Sequence, residues 1–448
     1  MDILYHGGDK MVSIWSDTSK LPTFEELKKD GKTDVLIIGG GMAGILCAYR
    51  LQQHNVNYIL VEAETICSGI TKNTTAKITS QHGLIYQKIE KEFSVEKAAM
   101  YLEANQAAVD EYRKLCEHID CGFQDKDNYV YSLEKRESLE KEMDVLLKIG
   151  FNAKLESNLP LPFSTVGAVR FPNQAQFNPL QFVASIAKDL HIYEHTRVRE
   201  LVVNKSGDCK AVINNVNITA RNIIVATHFP FLNKHGSYFL KMYQHRSYAI
   251  ALENAPDVNG MYVDEAQKGL SFRNYERELI IGGGDHRTGK KGGNWSELMA
   301  FAKKYYPDYN VQYQWATQDC MTLDGIPYIG HYSARTPNLY VATGFNKWGM
   351  TSSMVAATIL TDMILGKQND YASAFYPSRS MLRVQLALNG FEAVTNLLSI
   401  TPKRCPHLGC ALKWNETEHS WDCPCHGSRF TEAGKLIDNP ATGDLKNK

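Results

Sequence analysis

Hydrophobic positions in the first part of the chain follow the pattern of a strand, a tight turn, a helix and a second strand. Val35 to Ile38 is a continuous apolar run, as a strand covered on both faces requires. Apolar residues then recur at helical spacing from Ile45 to Leu51, which predicts one buried helical face. The next apolar run, Val56 to Val61, predicts a second strand. This order indicates an α/β domain with a parallel sheet.

Further strands are expected much later in the chain. Ile223 to Ala226 and Leu339 to Ala342 are short apolar runs of the same kind. The second run is followed by a glycine-containing turn and by a helix that runs to Leu365, for which Thr351 or Ser352 is the expected N-cap.

Between these runs the pattern changes. Residues 86–120 place apolar side chains on one helical face, whereas residues 243–285 alternate in the manner of strands. Residues 366–380 are polar and contain proline, so they are predicted to be a linker, followed by a helix that ends before residue 400. We therefore expect a helix-and-sheet region inserted into the α/β domain, and a separate C-terminal region.

Composition and charge narrow the classes of function. Lys plus Arg and Asp plus Glu number 49 each, so no overall field favours nucleic acid or a membrane surface. No apolar run is long and unbroken enough for a membrane span, and the first residues lack the apolar core of a signal peptide. The 448-residue chain, whose cysteines are too sparse for a disulfide framework, is expected to be a soluble, cytoplasmic protein of roughly two to four domains.

The turn after the first strand carries a nucleotide-binding pattern. Gly39, Gly41 and Gly44 complete G-x-G-x-x-G, and Glu62 ends the second strand 18 residues after Gly44. The glycines permit a tight turn and a close approach to a pyrophosphate, and a carboxylate at the second strand accepts hydrogen bonds from a ribose. A plain glycine-rich turn in an α/β domain is the alternative, but the register of strand, helix and Glu62 favours a dinucleotide site.

Together with "ARNIIVATHFPF" and "CMTLDGIPYIGHYSARTPNLYVATGFNKWGMTSS", this motif resembles the flavin amine and amino-acid oxidase family over roughly residues 30–370. The resemblance implies an FAD-binding Rossmann-like, doubly wound α/β domain with an interleaved α+β substrate domain. It also implies that the glycines and Glu62 hold the ADP half of FAD. The other positions that it assigns to FAD lie near the pyrophosphate, the adenine or the flavin ring: Thr74, Thr75, Lys77, Val198, Thr227, Gly344, Lys347, Gly349, Met350 and Thr351.

The turn "TGFNKWGMT" contains no cysteine, whereas several members of the family attach flavin through a cysteine there, so FAD is expected to bind non-covalently. The N-terminus of the helix after this turn should stabilise negative charge on the flavin. Lys347 is expected either to tune the charge beside the flavin ring or to extend into water.

The substrate pocket is placed by neighbourhood only, at Tyr248, Arg273 and His286. Arg273 could bind a substrate carboxylate in bidentate fashion, although an ordinary surface ion pair is favoured. His286 is expected in a solvated polar turn. No Ser-His-Asp or Cys-His arrangement indicates hydrolysis, and no catalytic side chain is assigned.

The C-terminal stretch "CPHLGCALKWNETEHSWDCPCHGSRF" concentrates cysteine and histidine. Cys405 with His407, and Cys423 with His426, place one thiol and one imidazole on each of two loops. Two cysteines and two histidines could bind zinc, although zinc ribbons usually pair like ligands, and a plain loop is a further alternative.

The motifs "CPHLGC" and "CPCHGS" resemble the Rieske [2Fe–2S] domain. The resemblance implies that Cys405 and Cys423 bind one iron and that His407 and His426 bind the other. It also implies a disulfide between Cys410 and Cys425, and a hydrogen bond from Ser428 to a cluster sulfur. Phe430 stands where high-potential members have tyrosine, which should lower the potential. A helical stretch replaces the supporting strands, so this small β domain is expected to dock on the flavoprotein body.

These observations predict an N-terminal arm (1–30) and an FAD-binding domain in three segments (31–85, 165–240 and 320–370). They also predict a substrate domain in two segments (86–164 and 241–319), a linker with a helix (371–399) and a Rieske domain (400–448).

A two-electron carrier and a one-electron carrier in one chain predict an FAD-dependent oxidoreductase of the dehydrogenase type. We expect it to oxidise a C–N bond of a small amine or amino acid and to pass electrons through the cluster to an external acceptor protein. One alternative is a reductase fed by an external donor through the cluster. Another is a redox sensor, or a flavin oxidase whose metal site is structural.

Overall fold

The computed structural model describes residues 11–204, 208–233, 235–399, 401 and 403–446. The α-helices of this part are α1 Ile14–Thr18, α2 Met42–Gln53, α3 Ile85–Glu92, α4 Val95–Cys116, α5 Arg136–Lys148, α6 Pro179–Ile186, α7 Tyr238–Lys241, α8 Trp295–Tyr305, α9 Gly349–Ile364, α10 Ala372–Phe375 and α11 Val384–Leu398. Among these helices, none combines the length and the apolar character that crossing a membrane requires.

The strands of the described residues form three sheets. They are β1 Gly31–Ile38, β2 Tyr58–Val61, β3 Lys77–Ile78, β4 Gln124–Ser132, β5 Lys154–Glu156, β6 Gly167–Gln176, β7 Ile192–Tyr193, β8 Glu200–Val202, β9 Cys209–Ile213, β10 Val216–Val225, β11 Met242–Glu253, β12 Met261–Asp264, β13 Ser271–Tyr275, β14 Glu278–Arg287, β15 Val311–Thr322, β16 Tyr328–His331, β17 Leu339–Thr343, β18 Lys413–Asn415, β19 Ser420–Asp422, β20 Arg429–Thr431 and β21 Leu436–Asp438.

The first sheet has the order β16-β17-β10-β1-β2-β7 and a parallel centre, with β8 and β9 as an antiparallel extension. Strand β1 lies in the middle, and its continuous apolar run divides between two cores. Val35 and Ile37 pack into the cluster that contains α2 and α9, whereas Leu36 and Ile38 pack into the cluster on the opposite face. Helices α2 and α9 cover one face, and the other is covered mainly by the β8–β9 extension and by loops. The sheet is thus buried on both faces, as predicted for the FAD-binding α/β domain.

The second sheet is mostly antiparallel and has the order β15-β11-β14-β13-β12-β4-β6-β3, with β5 beside β6. Its strands come from two separate stretches of the chain, on either side of the return to the first sheet at β7–β10. The interleaved α+β region expected from the sequence is therefore present. The exact domain limits stay a prediction.

A small antiparallel sheet, β18-β19-β20-β21, lies near the C-terminus. Its strands have three residues each, and its core consists chiefly of cysteines with Leu412, Phe430 and Ala441. Helix α11 precedes it, as the sequence predicted. This sheet buries too little apolar surface for a self-sufficient core, so its stability depends on contacts with the body of the protein.

The helical prediction for residues 86–120 is confirmed, with a break between α3 and α4, where the Ser94 hydroxyl caps α4 by accepting a hydrogen bond from the Lys97 N–H at 3.2 Å. The N-cap prediction for the helix that follows the glycine-containing turn is wrong. Helix α9 begins at Gly349 after the N-cap residue Trp348. Thr351 and Ser352 are consequently buried inside its first turn and do not cap it.

Candidate functional site

The glycine motif lies between β1 and α2, and two of its glycines have no room for a side chain. Gly39 has φ +112°, and a Cβ there would lie 2.6 Å from the Ala226 carbonyl oxygen. A Cβ on Gly44 would overlap the carbonyl oxygen of Gly39, so α2 could not pack this close to β1. Gly41, by contrast, lines a cavity, and a Cβ there would make only an ordinary contact with Thr71 Oγ1 at 3.5 Å. The motif thus permits close packing on one side and leaves backbone accessible on the other.

Glu62, at the end of β2, holds this turn in place. Its carboxylate accepts hydrogen bonds from the N–H groups of Gly40 at 2.7 Å and Glu64 at 3.0 Å. Burial raises the pKa of Glu62, and these two N–H groups oppose that shift by binding the charged form.

One cavity of about 1490 Å³ runs past this turn. Most of the positions that the resemblance assigned to FAD line it. These are Gly39, Gly41, Glu62, Thr74, Thr75, Lys77, Val198, Thr227, Gly344, Lys347, Gly349 and Met350. Gly44 lies behind the wall at the packing contact of α2, and the Thr351 hydroxyl donates to the Thr79 carbonyl oxygen at 3.0 Å.

The first turns of α2 and α9 both border the cavity, and neither helix has a side-chain hydrogen bond at its N-cap. The Met42 N–H at the start of α2 donates to the Thr71 hydroxyl at 3.1 Å. The positive ends of two helix dipoles face this space, an arrangement that suits a pyrophosphate and an electron-rich ring. The cavity and its lining fit a flavin dinucleotide.

Arg273 does not lie on the surface, and it does not face the cavity. It is fully buried, and its Nη1 donates to the carbonyl oxygens of Thr75 at 2.9 Å and Ala76 at 2.7 Å, while the guanidinium lies over the Trp15 ring. Both predicted roles, a surface ion pair and carboxylate recognition, are wrong. Arg273 instead supports the Thr75–Ala76 backbone, where Ala76 has φ +55°.

His286 was expected in a solvated turn, and this is also wrong. It lies within β14, is buried, and stacks on Tyr248 with ring centroids 5.8 Å apart. Tyr248 does line the cavity. Side chains alternate between the two faces of each strand, and the pairing of β11 with β14 brings the Tyr248 and His286 rings together on one face of the sheet. The two strands are distant in sequence, so the local sequence does not reveal this contact.

The C-terminal region supplies part of the cavity wall through Glu418. This carboxylate receives hydrogen bonds from Arg246 Nε at 3.0 Å, Arg429 Nη2 at 2.8 Å and the Tyr248 hydroxyl at 3.1 Å. Burial alone would raise the pKa of Glu418, but the two guanidiniums hold it at about 2. Sequence reasoning missed Glu418, because it lies in an unremarkable polar turn.

A second missed residue is Asp319 on β15, which lines the same cavity. Burial raises the pKa of Asp319 to about 6, although nearby Lys347 works in the opposite direction. Lys347 itself is half-buried and forms an ion pair with Asp285 on β14. Lys347 therefore does not simply extend into water.

The four residues of the predicted metal centre converge between the loops around β18–β20. The rings of His407 and His426 have centroids 4.9 Å apart and are nearly perpendicular. Each has a buried Nδ1 without a hydrogen-bond partner. The thiols of Cys405 and Cys423 contact each other, and this contact lowers the pKa of Cys405 to about 7. Two imidazole nitrogens and two thiols free to bind metal fit a [2Fe–2S] centre with mixed ligands.

Two further predictions concern this centre. The sulfur atoms of Cys410 and Cys425 are adjacent, with Cα atoms 6.7 Å apart, and the sulfurs of Cys410, Cys423 and Cys425 lie within 4.8 Å of one another. The Ser428 hydroxyl accepts a hydrogen bond from the Ala441 N–H at 3.0 Å and lies near the Cys405 thiol, whose pKa it lowers. Phe430 is fully buried in the small core.

The metal-binding loops are held by side chains from the body of the protein. Gln244 Nε2 donates to the His426 carbonyl oxygen at 2.7 Å, and Gln318 Nε2 donates to that of Gly427 at 2.9 Å. Arg287 donates to the carbonyl oxygens of Pro424 at 3.1 Å and Cys425 at 3.3 Å. Four consecutive carbonyl groups are thus bound across the contact.

A three-residue segment after β10 connects the cavity with the metal centre. Thr227 and His228 line the cavity. The ring of the next residue, Phe229, lies 6.4 Å from the ring of His407 and 6.2 Å from that of His426.

Comparison with known proteins agrees with this geometry. Residues 34–363 match the family of FAD dependent oxidoreductases (DAO), and residues 367–447 match the Rieske [2Fe-2S] domain. The Rieske 2Fe-2S iron-sulfur protein YhfW of Bacillus subtilis (strain 168) is 35% identical to this chain over 97% of each protein.

Solved structures show the same fold at low identity. The glycine oxidase of Geobacillus kaustophilus has a TM-score of 0.65 and 19% identity, covering 78% of this chain and 99% of that one. The L-proline dehydrogenase of P. horikoshii has a TM-score of 0.65 and 17% identity, covering 78% and 98%. The chain binds FAD and a [2Fe–2S] cluster. It belongs to the FAD dependent oxidoreductase family and carries a C-terminal Rieske domain.

Proposed function

We propose that this enzyme is a dehydrogenase that oxidises a C–N bond of a small amine or amino acid, and that electrons leave through the Rieske domain to an external acceptor protein. The observation that carries the proposal is the segment Thr227–His228–Phe229, because it borders the FAD cavity at one end and contacts both cluster histidines at the other.

Bound FAD supplies a hydride acceptor, and a bound Rieske cluster supplies a one-electron carrier at raised potential. The residues Gly39, Gly41 and Glu62 would hold the nucleotide half of FAD. The first turn of α9 would lie at the flavin ring. Cys405, Cys423, His407 and His426 would hold the cluster, and a disulfide between Cys410 and Cys425 would clamp their loops together.

The chemistry left to side chains is binding, orientation and proton transfer. An amine must lose a proton before its C–N bond is oxidised, and Asp319 is suited to accept it, since its pKa is raised by burial to about 6. The carboxylates of Asp285, Asp319 and Glu418 all face the cavity. Lys347 neutralises Asp285, and Arg246 with Arg429 neutralises Glu418. Among the described residues Asp319 belongs to no such ion pair, so its carboxylate can attract a cationic substrate.

The substrate class is supported by the relatives that share the fold. Their names give glycine and L-proline as substrates. One of them is an oxidase and the other a dehydrogenase, so the fold alone does not choose between oxygen and another acceptor. The Rieske domain favours the dehydrogenase.

Anaerobic rapid mixing of the holoenzyme with a panel of amines and amino acids tests the proposal. The expected result is loss of flavin absorbance followed by a Rieske-type EPR signal without added dithionite. A His407→Ala variant assayed with added FAD serves as the control, because its flavin should bleach without developing the signal. Flavin bleaching that leaves the wild-type cluster oxidised would refute electron transfer between the centres. Bleaching only by a reduced carrier protein would identify a reductase.

A further inference from the structure

Helix α11 buries its polar side chains and exposes its apolar ones. Asn389, Glu392 and Asn396 are its buried residues, and each is held by polar partners. Arg287 Nη1 donates to Asn389 Oδ1 at 3.0 Å, Lys290 pairs with Glu392 at 2.8 Å, and Asn396 donates to Glu392 at 2.6 Å. A surface helix normally buries its apolar face and exposes its polar one.

The apolar side chains of α11 face solvent instead. The exposed fractions are 81% for Val384, 54% for Leu388, 69% for Phe391, 55% for Val394 and 78% for Leu398. Leu382, Leu397 and Leu408 extend this surface. The eight side chains present on the order of 1,000 Å², compared with a few hundred Å² for the largest patch of a typical monomer and about 800 Å² per partner in a stable complex.

The spacing of these residues indicates that another helix covers them. Val384, Ala387, Phe391, Val394 and Leu398 follow steps of three and four residues, the pattern by which one helix packs lengthwise on another. We propose that α11 pairs with α11 of a second copy of this chain across a two-fold axis, so that the protein is a dimer. In such an isologous contact one apolar stripe covers the other without any further sequence feature.

Charge argues against the other candidates. Transient redox partners are steered by complementary charges and form small contacts, yet α11 contains no lysine or arginine and its one acidic residue, Glu392, is buried. A helix that binds membranes carries basic residues on its polar face, and the polar face of α11 is occupied by the protein itself. An exposed cation, Arg404, borders this surface, where its guanidinium donates to the carbonyl oxygens of Leu397 and Gly409. The α11 stripe itself carries no charge, which is typical of a permanent dimer.

The proposed dimer face reaches the metal centre. Leu408 follows the ligand His407, and a Cβ on Gly409 would lie 3.9 Å from Leu397 of α11. Pairing would therefore shield the solvent side of the first ligand loop. This inference does not depend on the substrate or on the direction of electron flow.

Analytical ultracentrifugation of the holoenzyme over about a hundredfold range of concentration tests the proposal. The expected mass is twice that of the chain. Phe391→Asp, which places a charge at the midpoint of each stripe, should raise the dimer dissociation constant by about 100-fold or more. Leu133→Asp is the matched control, because Leu133 is 48% exposed in the bend that follows β4, outside the proposed face, and this variant should remain dimeric. Leu388→Ser gives a second, milder variant if Phe391→Asp does not fold.

The following three results would each contradict the proposed dimer. A wild-type monomer at every concentration would overturn it, and so would a dimer that all α11 variants leave intact. A monomer that co-sediments with anionic phospholipid vesicles would assign the surface to a membrane instead.

Discussion

Replacing Glu418 with glutamine should loosen the Rieske domain from the body of the enzyme. The side chain of Glu418 is 10% exposed and lies between Arg246, which is 4% exposed, and Arg429, which is 6% exposed. Arg429 keeps Asp422 and Asp438 as partners. Arg246 loses the carboxylate that it binds through two nitrogens and is left charged and buried.

The size of the effect follows from the pKa of Glu418. A carboxyl whose pKa falls from 4.5 to about 2 on folding contributes about 3 kcal/mol in its charged form. Removing one partner of a buried ion pair costs about 3–5 kcal/mol, which is of the same size. Because the folded-state pKa is depressed, the contribution is fully present above pH 4.5 and is lost as the pH falls toward 2. The cost of Glu418→Gln should therefore be constant between pH 5 and 8.

Equilibrium urea unfolding followed by the visible circular dichroism of the cluster measures the stability of the Rieske domain. Glu418→Gln is compared with Glu432→Gln, which alters an exposed carboxylate of the same domain and should change the free energy of unfolding by less than about 0.5 kcal/mol. A loss below about 1 kcal/mol for Glu418→Gln would refute the ion-pair argument. A cost that varies between pH 5 and 8 would show that Glu418 titrates in that range, against the pKa of about 2.

Three other changes have equally definite outcomes. His407→Ala should reduce bound iron to background by elemental analysis, since one imidazole ligand is lost, and retained iron would contradict the ligand assignment. Asp319→Asn should remove the acidic limb near pH 6 from the pH profile of kcat/KM, because the ionised carboxylate is the active form and is lost below its raised pKa. An unchanged limb would indicate that another residue is the base. Gly44→Ala should destabilise the FAD domain by about 3 kcal/mol and lower the flavin-to-protein absorbance ratio, because the methyl group overlaps the Gly39 carbonyl oxygen. Gly443→Ala is its control, since a Cβ there meets nothing within 4 Å, and an equal loss of flavin in both variants would contradict the overlap argument.

The fold could be predicted where local pattern and tertiary packing agree. The run Val35–Ile38 is apolar throughout because alternate residues enter two cores, and this leaves a direct trace in the sequence. Residues 86–120 show the opposite case. One apolar stripe continues through both helices, but the local cap at Ser94 breaks the backbone between them. A continuous run of apolar positions at helical spacing therefore predicts a shared buried face. It does not predict that the helix is unbroken.

Candidate site residues also divide into those that belong to a local motif and those that are brought together only by the tertiary fold. The glycine turn and the two ligand loops are local motifs, so the glycines could be predicted from their spacing and the ligand loops from their resemblance to the Rieske motifs. Asp319 and Glu418 belong to segments about a hundred residues apart in sequence, and only the docking of one sheet on another brings them to one cavity. Arg273 was misjudged because its partners are backbone carbonyl oxygens, which no side-chain pattern reveals.

The Rieske domain also lines the FAD cavity with residues 435–439 and 441–442, and this has a consequence for how the enzyme matures in a cell. Because small metal-binding domains commonly fold as they bind their metal, we expect the last wall of the FAD cavity to form only after the cluster has been inserted. FAD retention then depends on iron–sulfur biogenesis, although no cluster atom needs to touch the nucleotide. Cells starved of iron should therefore accumulate a chain deficient in both cofactors, and supplying riboflavin alone should not restore it.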